Sequence, residues 1–99
     1  MNVQIQSIKF NADKKLIDFI NQKVSKLDRF FDNIIGAEVF LRVEKTQDME
    51  NKLVEVRLSV PGNDLIAHRQ CKTFEEAIDG CVDALKIQIK KHKERLRNV

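Results

Sequence analysis

Cys71, Cys81, His68 and His92 are the side chains of this sequence with thiol or imidazole chemistry. The cysteines stand ten positions apart and form no CxxC pair, and the histidines lie far from each other among basic residues. None of this matches the ligand spacing of a zinc site. Two small apolar side chains in a core is the simpler reading of the cysteines. The carboxylates carry little more. Glu75 and Glu76 fall where a helix begins, and Asp79 and Asp83, at i and i+4, suit solvation or pairing with lysine better than a metal dyad. There is no Gly-rich phosphate loop, no HExxH and no arguable Ser-His-Asp arrangement. The expectation is a protein that is not an enzyme, with no catalytic residues, no cofactor and no metal.

The cations are more informative. The net charge of +3 arises in the second half, because residues 51–99 carry ten Lys/Arg against seven Asp/Glu while residues 1–50 carry eight of each. Between Leu85 and Arg97 six cations (Lys86, Lys90, Lys91, Lys93, Arg95 and Arg97) stand against Glu94 alone. A local excess of that kind points to a polyanion partner. At helical pitch Lys86, Lys90, Lys93 and Arg97 form one stripe, and Lys91 with Arg95 forms a second on the opposite flank. The helix macrodipole favours the same layout, acid early and base late, so this helix alone leaves that explanation standing. A second cationic face weakens it: Lys15, Gln22, Lys26 and Arg29 line one side of an earlier helix, with Lys23 nearby. Side by side, two such helices offer a rigid ridge of ammonium and guanidinium groups suited to phosphates. With no Trp, no Tyr and most of the six Phe needed for the core, recognition by backbone shape is favoured over base stacking. Ile87 falls on the outer face of the later helix and reads as a lone exposed residue in preference to the alternative, a contact to a partner.

The elements that must position these cations follow from periodicity. Asn2–Phe10 reads as a strand, with a shift of phase between Val3/Ile5 and Ile8/Phe10 that suggests a bulge. Leu16, Ile20, Val24, Leu27 and Phe31 make one helical stripe, capped by Asp13 and ending near Phe30. Ala37–Lys45 alternates, with Val39, Leu41 and Val43 on one side. Lys52–Val60 alternates more strictly, with Val54, Val56, Leu58 and Val60 against Glu55, Arg57 and Ser59, which marks a sheet with one wet face. Thr46–Asn51 is a polar loop, Pro61 to Asp64 a turn, and Leu65–Gln70 the last strand. Thr73 and Glu76 fit a capping box for a helix running to about Arg97. The apolar stripe of that helix is Phe74, Ile78, Cys81, Val82, Leu85, Ile89 and Leu96. The expected fold is α+β in the order β-α-β-β-β-α, a four-stranded sheet with both helices side by side on one face.

Ninety-nine residues, 42% hydrophobic and 33% charged, fit one globular domain, residues 1–99. No apolar run exceeds three residues, which excludes a membrane-spanning helix. The opening MNVQIQSIKF has no signal-peptide layout, so the expected location is cytoplasmic.

Four segments carry a resemblance: Lys23-Val-Ser-Lys-Leu-Asp-Arg-Phe-Phe31, Val43-Glu-Lys45, Ala77-Ile-Asp-Gly80 and Gln88-Ile-Lys-Lys-His-Lys-Glu-Arg-Leu96. In this order and spacing the chain closely resembles the ribosome hibernation promoting factors, also called ribosome-associated translation inhibitors. The resemblance implies a fold like that of double-stranded-RNA-binding domains. It implies binding to the small ribosomal subunit and its ribosomal RNA, between head and body, where messenger RNA and transfer RNA are excluded and translation stops in resting or stressed cells. It implies RNA contacts from Lys23, Lys26, Arg29, Lys86, Lys90, Lys91, Lys93, Arg95 and Arg97. Thr73 stands where relatives can carry Asp, which preserves a cap. Numbering stops at Val99, so the expectation is a short member, without the further domain by which long members pair ribosomes. Two alternatives stay open at this point. One is a general duplex-RNA-binding module with no ribosomal role. The other is a protein-interaction adaptor that uses the wet sheet face, with binding nearly insensitive to salt.

Overall fold

The computed structural model describes residues 1–45, 47 and 49–97, the side chain of Arg97 excepted. Part of the expected polar loop Thr46–Asn51, and the expected contact through the Arg97 side chain, therefore lie outside the described residues. The chain runs β1 (Asn2–Ser7), α1 (Lys14–Ser25), a 3-10 turn (Lys26–Arg29), β2 (Gly36–Val43), β3 (Lys52–Val60), β4 (Asn63–Cys71) and α2 (Phe74–Arg97). The four strands form one sheet in chain order. β1 and β2 are parallel, and a parallel pair needs a crossover connection, which α1 supplies. β2, β3 and β4 are antiparallel neighbours. This is the expected α+β architecture with both helices over one face of the sheet.

Each element has a local cause. The Asp13 carboxylate accepts the Leu16 amide at 2.8 Å and starts α1. The Thr73 hydroxyl accepts the Glu76 amide at 3.1 Å and starts α2. Strand β3 occupies the residues expected of it, since Val54, Val56, Leu58 and Val60 are buried while their neighbours are half-exposed. Val60 pairs with Asn63, which leaves Pro61 and Gly62 as the two-residue turn. Gly62 sits at φ +80°, the second central position of a type II turn with proline at the first.

Inner-face residues of β2, β3 and β4 meet Ile20, Val24, Leu27 and Phe31 from the first helical segment and Phe74, Ala77, Ile78, Cys81, Val82, Leu85 and Ile89 from α2. Gly80 brings α2 close to the sheet: a Cβ there would stand 3.0 Å from Cγ of Arg69, so the arginine stem lies across the helix backbone.

Three boundaries and the placing of one side chain differ from expectation. β1 stops at Ser7 rather than Phe10. Lys9 adopts φ +66°, which turns the chain, and Phe10 leaves the strand to stack on Phe74 at 5.3 Å between ring centroids. β2 ends at Val43 rather than Lys45, and Val43, although on the side of Val39 and Leu41 by alternation, is exposed at the strand's end. β4 begins two residues early, at Asn63. Leu96 does not join the apolar stripe and is 56% exposed. The reason for this last difference is length. A helix of 24 residues extends roughly 36 Å at 1.5 Å per residue. Its buried side ends at Ile89, and beyond it the helix leaves the sheet behind. Residues 90, 91 and 93–96 are all exposed, in a molecule 47 Å long and 18 Å thick.

Candidate nucleic-acid interface

The overhanging end of α2 holds Lys90, Lys91, Lys93 and Arg95 with Glu94 as the local counter-charge, and Lys86 lies one turn before it. The helix splits these cations into two groups. Lys86, Lys90 and Lys93 share a groove of about 460 Å³ with Phe30, Ile87, Ile89 and Glu94, on the side of the 3-10 turn. Lys91 and Arg95 line a smaller recess of about 170 Å³ with Gln88, His92 and the start of β4, Asn63 to Leu65. The split into two flanks matches the helical arithmetic. His92 lies between them, edge-on to Phe31 at 5.4 Å.

The two helical segments meet at one end. The Lys93 ammonium donates to the Phe30 carbonyl at 2.9 Å, and Arg29 lines a third recess with Phe30, Phe31 and Lys93. Lys26 is exposed on the same 3-10 turn. The shared cationic surface therefore runs from the 3-10 turn across to the outer half of α2. Lys23 sits apart from it. Its ammonium lies 3.5 Å from the Asp79 carboxylate on α2 and 5.5 Å from the centre of the Phe19 ring. It acts as a strut between helices, with its charge opposed by a neighbour. Lys86 has a weaker partner, Asp83 at 4.0 Å, and lies 5.3 Å from the centre of the Phe30 ring. Among the described residues no salt bridge engages Lys90, Lys91, Lys93, Arg95, Lys26 or Arg29.

The opposite face of the sheet is built otherwise. Phe40, Leu53, Ile8 and His68 line a groove of about 450 Å³ with Arg42, Glu55 and Arg57. Its arginines are matched by carboxylates, Arg57 to Glu55 at 3.1 Å and Arg42 to Glu44 at 3.4 Å. Arg57 also lies over the Phe40 ring at 5.9 Å. Among the described residues that face offers a polyanion no unopposed run of charge, whereas the end of α2 does.

The thiols are placed for packing. Cys81 is fully buried, and loss of solvent pushes its pKa up to about 12. Its Sγ lies 3.7 Å from the Val54 carbonyl oxygen. Cys71 is raised in the same direction by burial and by the carboxylates of Glu76 and Glu50. Neither is a thiolate at neutral pH, the form that nucleophilic chemistry needs. Among the described residues no three His, Cys, Asp or Glu side chains gather as a metal site, and no helix is long and apolar enough to cross a membrane.

Sequence reasoning passed over Phe30. Only its neighbour Phe31 falls on the apolar stripe, and Phe30, one position earlier and just past the 3-10 turn, lies off it. Phe31 is buried and Phe30 is 41% exposed in the middle of the cationic surface.

Comparison with known proteins agrees with this architecture. The crystal structure of the Thermus thermophilus Protein Y N-terminal domain superposes with a TM-score of 0.79 over 93% of this chain and 99% of that one, at 24% identity. A ribosomal subunit interface protein from Coxiella burnetii gives 0.83 over 95% and 99%, at 17% identity. In sequence, the ribosome hibernation promoting factor of Pseudomonas putida is 31% identical over all 99 residues and is itself covered to 93%. The family model described as "Sigma 54 modulation protein / S30EA ribosomal protein" matches residues 3–97. The chain belongs to the Sigma 54 modulation protein / S30EA ribosomal protein family.

Proposed function

We propose that this protein silences idle ribosomes by lodging in the small subunit, where its cations hold ribosomal RNA phosphates and its body excludes messenger and transfer RNA. The hibernation role goes with the family and with full-length likeness to factors of that name. The small subunit, the RNA contacts and the steric block are our reading. The observation that carries it is the overhanging end of α2, where four cations in six residues stand clear of the core without a salt-bridge partner among the described residues. Affinity then comes from displaced counterions and position from a rigid helix. Lys26 and Arg29 extend the same surface, while Lys23 stands apart, held by Asp79, and reaches a phosphate only where that pair opens. The mechanism is occupancy rather than catalysis, in the cytoplasm, with no small-molecule substrate and no membrane.

The test is co-sedimentation with purified small subunits. Replacing Lys86, Lys90 and Lys93 together by Glu abolishes it while circular dichroism and the melting transition stay near wild type. Unchanged co-sedimentation overturns the assignment of the site. Equal affinity of the wild type for small subunits and for an arbitrary A-form duplex would make the protein a general duplex-RNA binder instead.

A further inference from the structure

We propose that the groove between Phe30 and α2 seats one unpaired RNA base. The inference rests on the reading that this surface meets RNA, and it adds base-level recognition to contacts that otherwise see only phosphates.

The groove combines two chemistries, apolar walls and a cationic rim. Its walls are apolar: Phe30 is 41% exposed, Ile87 is 59% exposed, and Ile89 closes the inner side. Lys86, Lys90 and Lys93 surround those walls, against Glu94. Its volume, about 460 Å³, lies within the roughly 300–1,000 Å³ typical of small-ligand sites. A ligand that fits must be flat and apolar in one part and anionic in another, as a nucleotide is. An apolar protein side chain would instead cover three ammonium groups without bringing a counter-charge of its own, at a desolvation cost.

Two contacts show how the seat works. Lys93 donates to the Phe30 carbonyl at 2.9 Å, which ties the 3-10 turn to the helix and fixes the ring's backbone. Lys86 lies 5.3 Å from the centre of that ring. A lysine on a flexible four-carbon stem can give up the ring for a phosphate when a base stacks in its place. Ile87, exposed on the outer side of α2, then becomes a wall of the seat.

The test uses two RNA hairpins of identical stem, one with a single bulged 2-aminopurine and one without. Wild type binds the bulged hairpin tighter by roughly 5- to 150-fold, the range expected for one stacked base. Phe30→Ala and the shape-conserving Phe30→Leu bind both hairpins equally, with the salt dependence unchanged. Lys90→Ala weakens both hairpins alike and lowers the salt slope by about one. A wild type without preference for the bulge, or a Phe30→Leu variant that keeps it, overturns the proposal. So does a Phe30→Leu variant that weakens small-subunit binding but leaves both hairpins untouched, since a protein side chain would then fill the groove. Co-sedimentation separates the two readings. A wild type that prefers the bulge yet ignores small subunits sinks the ribosomal reading alone, and one that binds subunits without preferring the bulge sinks the base seat alone.

Discussion

Lys23 of α1 and Asp79 of α2 face each other at 3.5 Å across the seam between the helices, 56 positions apart in the chain. The pair joins the helices and opposes one cation that the proposed phosphate contacts would otherwise use. Asp79→Asn frees Lys23. A pair this exposed stabilises by at most about 1 kcal/mol, so the melting transition moves little. RNA affinity at low salt rises, and the slope of log affinity against log salt steepens by up to about one. A salt titration against small subunits measures it, and a slope equal to wild type would mean that Lys23 lies beyond reach of any phosphate.

Binding as a whole is strongly dependent on ionic strength. About six phosphate contacts, drawn from the outer half of α2 and from Lys26 and Arg29, imply a loss of roughly a thousandfold in affinity between about 50 and 200 mM salt. Replacing Arg42 or Arg57 on the opposite sheet face by Gln leaves that slope unchanged, because both already face carboxylates. If the sheet-face variants flatten the slope and the helix variants do not, the interface lies on the sheet.

Gly80→Ala tests the close approach of α2 to β4. Alanine in a helix interior gains roughly 0.5–1 kcal/mol over glycine, but its Cβ would meet Arg69 Cγ at 3.0 Å. Arg69 is exposed and its stem can shift, so the net change is close to zero. In an Arg69→Ala background the obstruction is gone and the gain appears in full. A denaturant double-mutant cycle reads the coupling, and strict additivity would show that the arginine stem does not lie on the helix.

Cys81 gives stability a pH dependence on the alkaline side. Its ordinary pKa of 9.0 rises to about 12 when folded, chiefly because burial disfavours the thiolate. Between these values the unfolded chain releases this proton and the folded chain keeps it. Folding therefore binds a proton there, and stability falls as pH rises from about 9 towards 12. In Cys81→Ala the alkaline decline is shallower, as denaturant midpoints across that range would record. A parallel decline in both proteins would assign the effect to other groups.

Much of this could be read from residues in order. The alternation in β3 located its ends, and Asp13 and Thr73 marked both helix starts, because strand facing and helix capping are decided by neighbours within a few positions. The division of the α2 cations into two flanks also followed from helical pitch. The misreadings share a different origin. Leu96 continues the apolar rhythm of α2, but rhythm records angle and not where the sheet ends beneath it. Ile8 and Phe10 looked like a continuing strand because a positive φ at Lys9 leaves no mark in an apolar pattern. The ion pair of Lys23, which leaves its role as an RNA contact open to test, went unseen because its partner comes from a distant helix. Phe30 was passed over because it becomes a surface feature only when α2 arrives beside it.

Lys90, Lys91 and Arg95 stand clear of the core, and this has an evolutionary consequence. If these cations hold RNA as proposed, substitutions at Lys90, Lys91 or Arg95 retune that grip with little risk to the hydrophobic interior. Affinity can drift between lineages, or be adjusted by design, while the scaffold beneath it stays put.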